Sequence, residues 1–220
     1  MIVNQSISIS KTRNQSNMAS LDETLYVTGN SIKVADMKRV LGEDIQLFKT
    51  DTDEIQATPF NVSIDKIRRI YNELGFKPVG CEDTSFGFGK LAAMVKHVID
   101  ACEENEGDLY NVIKSIAPKK TTVDYTSIVS FKNQNYEALF ECRMTCRLCP
   151  RSGKGTIDPF AIPIEYTITQ YINGEKTVLI ENQQIENPAG LSIAQQPENR
   201  HLVHPRQFAL SAYNHWKKHV

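Results

Sequence analysis

The chain has 220 residues, which suits one domain or one two-lobed domain, and its apolar and charged contents of 40% and 23% are ordinary for a globular protein. Its formal net charge of −1 excludes a broad field that would draw it to nucleic acid or to a membrane surface, so we expect neither partner. No apolar run approaches the roughly 18 residues of a membrane span, and the N-terminus lacks a signal-peptide core, so we expect a cytoplasmic protein. The five cysteines are odd in number and are expected to be reduced thiols.

The first part of the chain alternates strand-like and helix-like segments after a polar start. Residues 1–22 are rich in Ser, Asn and Gln and are predicted to form a flexible tail, whereas residues 23–220 are predicted to form a single domain. The predicted elements are, in chain order, a strand at Leu25-Tyr26-Val27, a tight turn at Thr28-Gly29-Asn30, a helix at 32–41, a strand at 45–48, an acidic loop at 51–54, a helix that Ser63 caps and that ends near Leu74 before Gly75, and a buried strand at 78–82 that ends in Glu82-Asp83.

The second part of the chain contains longer strands. The predicted elements are helices at 90–104 and 108–116, strands at 123–132 and 136–147, a β-hairpin formed by 164–172 and 176–183 around Asn173-Gly174, and a C-terminal helix at 207–216. Strands that alternate with helices indicate the α/β class.

The turn Thr28-Gly29-Asn30 stands between a predicted strand and the start of a predicted helix. Such a turn directs backbone N–H groups and a helix N-terminus towards an anion, and Gly29 permits a close approach of the backbone. Lys33, one turn into the helix, lies within reach of a phosphate. The pattern is compatible with a phosphate site, and a tight strand–helix connection with a surface lysine explains it at least as well. It is not a Walker loop, which needs more glycines and a Lys-Ser/Thr pair.

The segment Glu82-Asp83-Thr84 carries two adjacent carboxylates at the end of a predicted buried strand. Buried carboxylates are unfavourable unless a positive charge meets them. Mg²⁺ would supply that charge, because it prefers oxygen ligands from one or two carboxylates together with substrate phosphates. Glu54 in the acidic loop is a further candidate ligand. The alternative is a solvated loop with helix caps.

Two other patterns are compatible with a metal site. Cys142-x3-Cys146-x2-Cys149 has the spacing of enzymes that bind an iron–sulfur cluster, but these residues also alternate as in a half-buried strand, where cysteine behaves as a small apolar residue. His215 and His219 lie one helical turn apart, which suits a metal pair and, more commonly, a solvated helix end.

Taken in order, these segments resemble the inosine triphosphate pyrophosphatase family over nearly all of residues 25–216. Members of this family hydrolyse noncanonical purine nucleoside triphosphates to a monophosphate and pyrophosphate. The matching positions on the phosphate and metal side are the opening motif Thr28-Gly29-Asn30-x-x-Lys33, the metal-binding glutamate at Glu54, the substrate-binding lysine at Lys66, the Glu-Asp-Ser/Thr motif at Glu82-Asp83-Thr84 and, where a phosphate-binding lysine is expected, Arg200. The resemblance implies an elongated, twisted mixed sheet with flanking helices, two lobes around a central cleft, and a homodimer.

On the base-binding side, the match to the family is altered. Asp158-Pro159 matches the base-recognition loop, but Gly155-Thr156-Ile157 stands where the family has aromatic residues that stack on the base. His204-Pro205-Arg206 resembles the family's Ser-His-Arg, with Pro205 in the place of the histidine and His204 as its substitute one position earlier. By resemblance, Asp158, His204 and Arg206 face the base.

The resemblance implies a nucleoside triphosphate pyrophosphohydrolase that uses Mg²⁺, with Mn²⁺ as the other candidate ion, held by Glu54, Glu82 and Asp83. Asp83 would also position or deprotonate the attacking water. The residues that would bind the phosphates are, by charge, Lys33, Lys66 and Arg200 and, by hydrogen bonds, Thr28, Gly29, Asn30 and Thr84. The alternative on the same fold is a non-catalytic nucleotide-binding or interaction protein, which the altered base side favours.

Overall fold

The computed structural model describes residues 24–42, 46–48, 55–87, 109–150, 161–187, 190–193 and 203–219. The predicted tail and the predicted helix at 90–104 lie outside these ranges. The described strands are β1 (Leu25–Val27), β2 (Gln46–Phe48), β3 (Val79–Gly87), β4 (Thr122–Lys132), β5 (Glu137–Leu148), β6 (Ala161–Ile172) and β7 (Glu175–Gln184). The described helices are α1 (Ser31–Leu41), α2 (Pro59–Glu73), α3 (Leu109–Ile116) and α4 (Pro205–Lys217).

All described strands join one sheet in the order β2-β1-β3-β4-β5-β6-β7. β1 pairs in parallel with β2 and with β3, and the other neighbours pair antiparallel. The parallel pairs require crossovers, which the chain makes through α1 and α2, whereas β4 and β5 are joined by a short connection, as are β6 and β7. The predicted α/β class, a mixed sheet with flanking helices, is therefore confirmed.

Helix α2 begins five residues before its predicted start. Thr58 is its N-cap and accepts a hydrogen bond from the backbone N–H of Asn61, and Pro59 opens the first turn. Ser63, the predicted cap, is instead buried inside the helix. The predicted end is confirmed, because Gly75 takes a φ of 67° just past the helix, a value that glycine adopts without strain.

Strand β3 is longer than predicted. It continues to Gly87, which pairs with Asp124 of β4, so Glu82 and Asp83 lie in the middle of the strand instead of at its end. The long antiparallel partner β4 extends the pairing beyond the acidic pair.

The hairpin of β6 and β7 is confirmed around its predicted turn. Asn173 and Gly174 have φ values of 50° and 87°, the left-handed pair that a type I′ turn requires. In contrast to the other antiparallel strands, β7 is exposed along nearly its whole length.

The two faces of the sheet bury different apolar clusters. On one face, Tyr26 packs with Met37 of α1 and Tyr213 of α4. On the other face, Val27 packs with Ile67 of α2 and with Cys81. Helices α1 and α4 therefore cover one face of the sheet and α2 covers the other, so neighbouring residues of a strand meet different helices. None of the helices in the described ranges combines the length and apolar character needed to cross a membrane.

Candidate functional site

Glu82 and Asp83 project from opposite faces of the sheet, because consecutive strand residues alternate. Gly80, two residues before Glu82, lies against Tyr26 and Phe131 in the cluster beneath α1 and α4. Cys81, two residues before Asp83, packs in the cluster beneath α2. The pair predicted to hold one metal ion is thus divided between two environments.

Positive charge and hydroxyl groups surround the Glu82 carboxylate. Lys33 Nζ lies 2.6 Å from Oε2 and also donates to the Glu82 backbone carbonyl at 3.2 Å. Arg206 Nε lies 3.1 Å from Oε1. Ser127 Oγ donates to Oε1 at 2.6 Å, and the Thr84 hydroxyl donates to the same oxygen. Both carboxylate oxygens are therefore engaged by groups of the protein.

The charge of Glu82 is maintained by these neighbours. Burial by itself would raise the pKa of this carboxyl, but the positive charges of Arg206 and Lys33, with hydrogen bonds from Lys33 and Ser127, hold the pKa well below its usual range. The sequence correctly indicated that a positive charge must meet a buried carboxylate here. The charge comes from two side chains of the protein.

Arg206 is shared between two carboxylates. Its side chain is 4% exposed, and its Nη1 lies 2.6 Å from Asp36 Oδ2 on α1. Its Nη2 lies 3.5 Å from the hydroxyl oxygen of Thr84. Burial would lower the pKa of Arg206, but the negative charges of Glu82 and Asp36 raise it above its usual value, so the guanidinium keeps its charge inside the protein. Arg206 therefore links α4, α1 and β3 from inside the protein.

Asp83 meets Lys66 on the opposite face. Lys66 Nζ of α2 lies 3.7 Å from Asp83 Oδ1, and both side chains are largely buried. As a carboxylate, Asp83 fits the oxygen chemistry that Mg²⁺ prefers. Glu82 fits less well, because Lys33 lies 2.6 Å from its Oε2, and Arg206 and Ser127 lie close to its Oε1. Glu54 lies outside the described residues, and those that are described contain no group of three or more side chains suited to hold a metal ion.

The turn at Thr28-Gly29-Asn30 leads into α1 as predicted. The Thr28 hydroxyl accepts from the N–H of Asn30 at 3.1 Å, and the side-chain oxygen of Asn30 accepts from the N–H of Lys33 at 3.4 Å. These bonds close the turn and cap the first turn of α1. Gly29 and Asn30 are exposed, whereas Lys33 reaches inwards to Glu82. The turn is thus joined physically to the acidic segment of β3.

His204 lies inside the protein at the start of α4. It is the N-cap: its Nδ1 accepts from the N–H of Arg206 at 3.1 Å. Its Nε2 lies 2.9 Å from the hydroxyl oxygen of Tyr125. The neutral form with the proton on Nε2 satisfies both contacts. Because His204 is fully buried, the geometry assigns it to helix capping.

Of the remaining predicted site residues, Asp158 and Arg200 lie outside the described ranges. Cys142 and Cys146 are buried free thiols in β5, and burial raises the pKa of Cys142 well above its usual value. They point into the core as the strand interpretation predicts, and Cys149, just after the strand, is a reduced thiol as well.

Sequence reasoning missed two partners of this site. Asp36 lies three residues after Lys33, so both residues share one side of α1, and that spacing was a usable signal. Ser127 lies in the middle of a buried strand, and no local pattern distinguishes it from its neighbours.

Two Ham1 proteins are among the solved structures that share this fold. The structure of the Staphylococcus aureus Ham1 protein matches with a TM-score of 0.61 at 12% identity, covering 89% of this chain and 98% of that chain. The structure of a HAM1 protein from Coxiella burnetii matches with a TM-score of 0.59 at 11% identity, covering 90% of this chain and 99% of that chain. At these identities the similarity establishes a Ham1-like fold.

The sequence establishes the family. The profile of the Ham1 family matches residues 24–176, which include the turn, both lysines and the acidic pair, and the chain belongs to that family. This is the ITPase-like family of noncanonical nucleoside triphosphate pyrophosphatases, so the family predicted from the motifs is confirmed.

Proposed function

We propose that this protein hydrolyses noncanonical purine nucleoside triphosphates to the monophosphate and pyrophosphate. The observation that supports this most directly is that two consecutive carboxylates of β3 each pair with a lysine. Lys33 is held on one face by Glu82, and Lys66 lies on the other face beside Asp83. Two lysines held by carboxylates at consecutive positions of β3, one of them in the first turn of α1, suit a ligand with several phosphate charges.

In the proposed reaction, Asp83 positions a water molecule and accepts its proton. The water oxygen forms a bond to the α-phosphorus, the bond from the α-phosphorus to the bridging oxygen breaks, and pyrophosphate leaves with that bond's electron pair. Lys33 and Lys66 stabilise the charge that develops on the phosphate oxygens, and Thr28 and Asn30 add hydrogen bonds at the turn.

The proposed ion is Mg²⁺, with Mn²⁺ as the other candidate. Asp83 would hold it, together with Glu54, which the resemblance assigns as a ligand. When bound, the ion neutralises phosphate charge and orients the triphosphate. Glu82 is left out of the ligand set, because its oxygens are engaged by Lys33 and Arg206.

The assignments outside the described residues complete the proposal. Arg200 would bind a phosphate and Asp158 would contact the base. Because Arg206 and His204 are buried, base selection in this chain rests on Asp158 and its neighbouring loop. A homodimer and a cytoplasmic location are part of the same proposal.

The proposal is tested by measuring pyrophosphate release with Mg²⁺ for inosine, xanthosine, deoxyinosine, adenosine and guanosine triphosphates. We expect the fastest release from the noncanonical purines. The absence of turnover with every nucleotide would refute the enzymatic function.

The role of Asp83 is tested by Asp83→Asn, which should abolish turnover while leaving the circular dichroism spectrum unchanged. The matched control is Asp65→Asn, which makes the same chemical change in an ion pair with Arg69 that is one-third exposed on α2. Retained activity in Asp83→Asn would refute this assignment.

A second function has one observation in its favour. The full engagement of Glu82 leaves fewer carboxylates for a metal than the sequence predicted, as expected for a protein that binds nucleotide without hydrolysing it. Equilibrium binding of inosine triphosphate without pyrophosphate release would select this alternative.

A further inference from the structure

Four charged side chains form a closed series on one face of the sheet. Asp36 pairs with Arg206 at 2.6 Å, Arg206 with Glu82 at 3.1 Å, and Glu82 with Lys33 at 2.6 Å. Lys33 and Asp36 are one turn apart on α1, so the series begins and ends on the same helix. We call these four residues the α1–β3–α4 charge ring.

The charges of the ring alternate in sign and balance. The side chains of Glu82 and Arg206 are 0% and 4% exposed, and those of Asp36 and Lys33 are 13% and 17% exposed. Arg206 forms ion pairs with two carboxylates, those of Asp36 and Glu82. Each oxygen of Glu82 faces a different cation, so the carboxylate is held in one orientation by two opposed attractions.

Stability by itself does not explain this arrangement. Buried ion pairs contribute little compared with apolar residues of the same volume, because the charges must give up their hydration. A ring that fixes a lysine beside the turn at Thr28-Gly29-Asn30, where the proposed function places the phosphates, has a different benefit. A cation held in place beforehand stabilises developing phosphate charge without reorganising. Lys33 is the ring member at the turn and also the most exposed of the four.

We infer that Asp36 is a positioning residue that acts through Arg206 and Glu82 to hold Lys33 at the phosphate turn; this inference rests on the proposed function. With Asp36 charged, Arg206 is shared between two carboxylates. Without that charge, Arg206 turns fully to Glu82 and competes with Lys33 for the carboxylate. The ammonium of Lys33 is then released from the position that the phosphates need.

The test is Asp36→Asn in the full chain, read by chemical labelling of lysine amines with acetic anhydride and site-resolved mass spectrometry, without nucleotide. We expect the labelling rate of Lys33 to rise about three- to tenfold, the scale set by the loss of one side-chain hydrogen bond. The rate at Lys66, which pairs with Asp83 on the opposite face, should stay unchanged and is the internal control. An equal rise at both lysines, or no rise at Lys33, would overturn the inference.

Two further variants separate positioning from general loosening. Asp36→Glu restores the charge and should return the labelling of Lys33 towards the original rate. Arg39→Met removes the other ion partner of Asp36, an arginine that is 45% exposed and 3.8 Å away, and should leave Lys33 labelling unchanged. If Arg39→Met has the same effect as Asp36→Asn, the ring is not the route of the coupling.

A variant that keeps all four charges of the ring provides a second test in case Asp36→Asn does not fold. Ser127→Ala removes the hydrogen bond to Glu82 Oε1 and should raise the Lys33 labelling rate by less than Asp36→Asn does. Labelling requires no turnover. If the original protein hydrolyses no nucleotide but labelling changes as expected, the proposed function fails while the coupling of Asp36 to Lys33 holds.

Discussion

Replacing Arg206 by Met tests how strongly the buried charges stabilise the fold. Met retains most of the apolar stem but removes the cation between Asp36 and Glu82, whose side chains are 13% and 0% exposed. Removing one partner of a buried pair destabilises a protein by about 3–5 kcal/mol, since the remaining charge is left without compensation. Lys33 still faces Glu82, so we expect the free energy of unfolding to decrease by an amount near the lower limit, about 3 kcal/mol.

The measurement is urea unfolding at pH 7, followed by the fluorescence of Trp216 and by circular dichroism. The free energy of unfolding should decrease with urea concentration at the same slope in both proteins, because the same surface is exposed on unfolding. The urea concentration at the midpoint should be lower in the variant. A loss of about 3 kcal/mol corresponds to a decrease of about 6–12 °C in Tm for a chain of this size.

The matched control is Arg68→Met. Arg68 donates two hydrogen bonds of 2.8 Å to Glu137, a geometry at least as good as that of Arg206, but its side chain is 56% exposed. Glu137 also keeps Lys132 at 3.3 Å. We expect a loss below about 1 kcal/mol, as for surface pairs in general. If the two variants lose equal stability, or if Arg68→Met loses more, burial is not the source of the effect and the reasoning about Arg206 is wrong.

Three further changes have expected outcomes. Gly80→Ala should lose about 1–3 kcal/mol of unfolding free energy, because its Cβ would lie 2.7 Å from the ring of Phe131, which is stacked on a neighbouring tyrosine; Gly87→Ala in the same strand meets its nearest atom only at 3.4 Å and should lose less. Thr58→Ala should lower the free energy of unfolding by about 0.5–2 kcal/mol through loss of the α2 cap, measurable by urea unfolding. Since the folded pKa of Glu82 is lowered despite burial, its contribution to stability is complete above the pKa of an unfolded glutamate, about 4.3, and is lost as pH falls towards the folded pKa. Unfolding measured between neutral and acid pH should show this loss, and a profile without any decrease below that pKa would contradict it.

The local elements could be predicted from the sequence because their causes are local. The alternation in β4 and β5, and the Asn173-Gly174 turn, report side-chain periodicity and backbone preference within a few residues. The turn before α1 and the position of Lys33 in the first turn of that helix could be predicted in the same way, from a few neighbouring residues. The family followed from the order and spacing of such segments, which need no knowledge of packing.

Tertiary structure decided which charges meet. The alternation within β3 separates Glu82 from Asp83, but the environment on each side depends on the helices that pack there, and these come from distant parts of the chain. The chain order alone does not reveal that Arg206 reaches Glu82, more than a hundred residues earlier, or that Asp36 shares it. Electrostatic partners depend on which side chains lie close together in the folded protein. The sequence indicated only that a buried carboxylate needs a cation. The packing of α1 and α4 against the sheet brings two cations, Lys33 and Arg206, to Glu82.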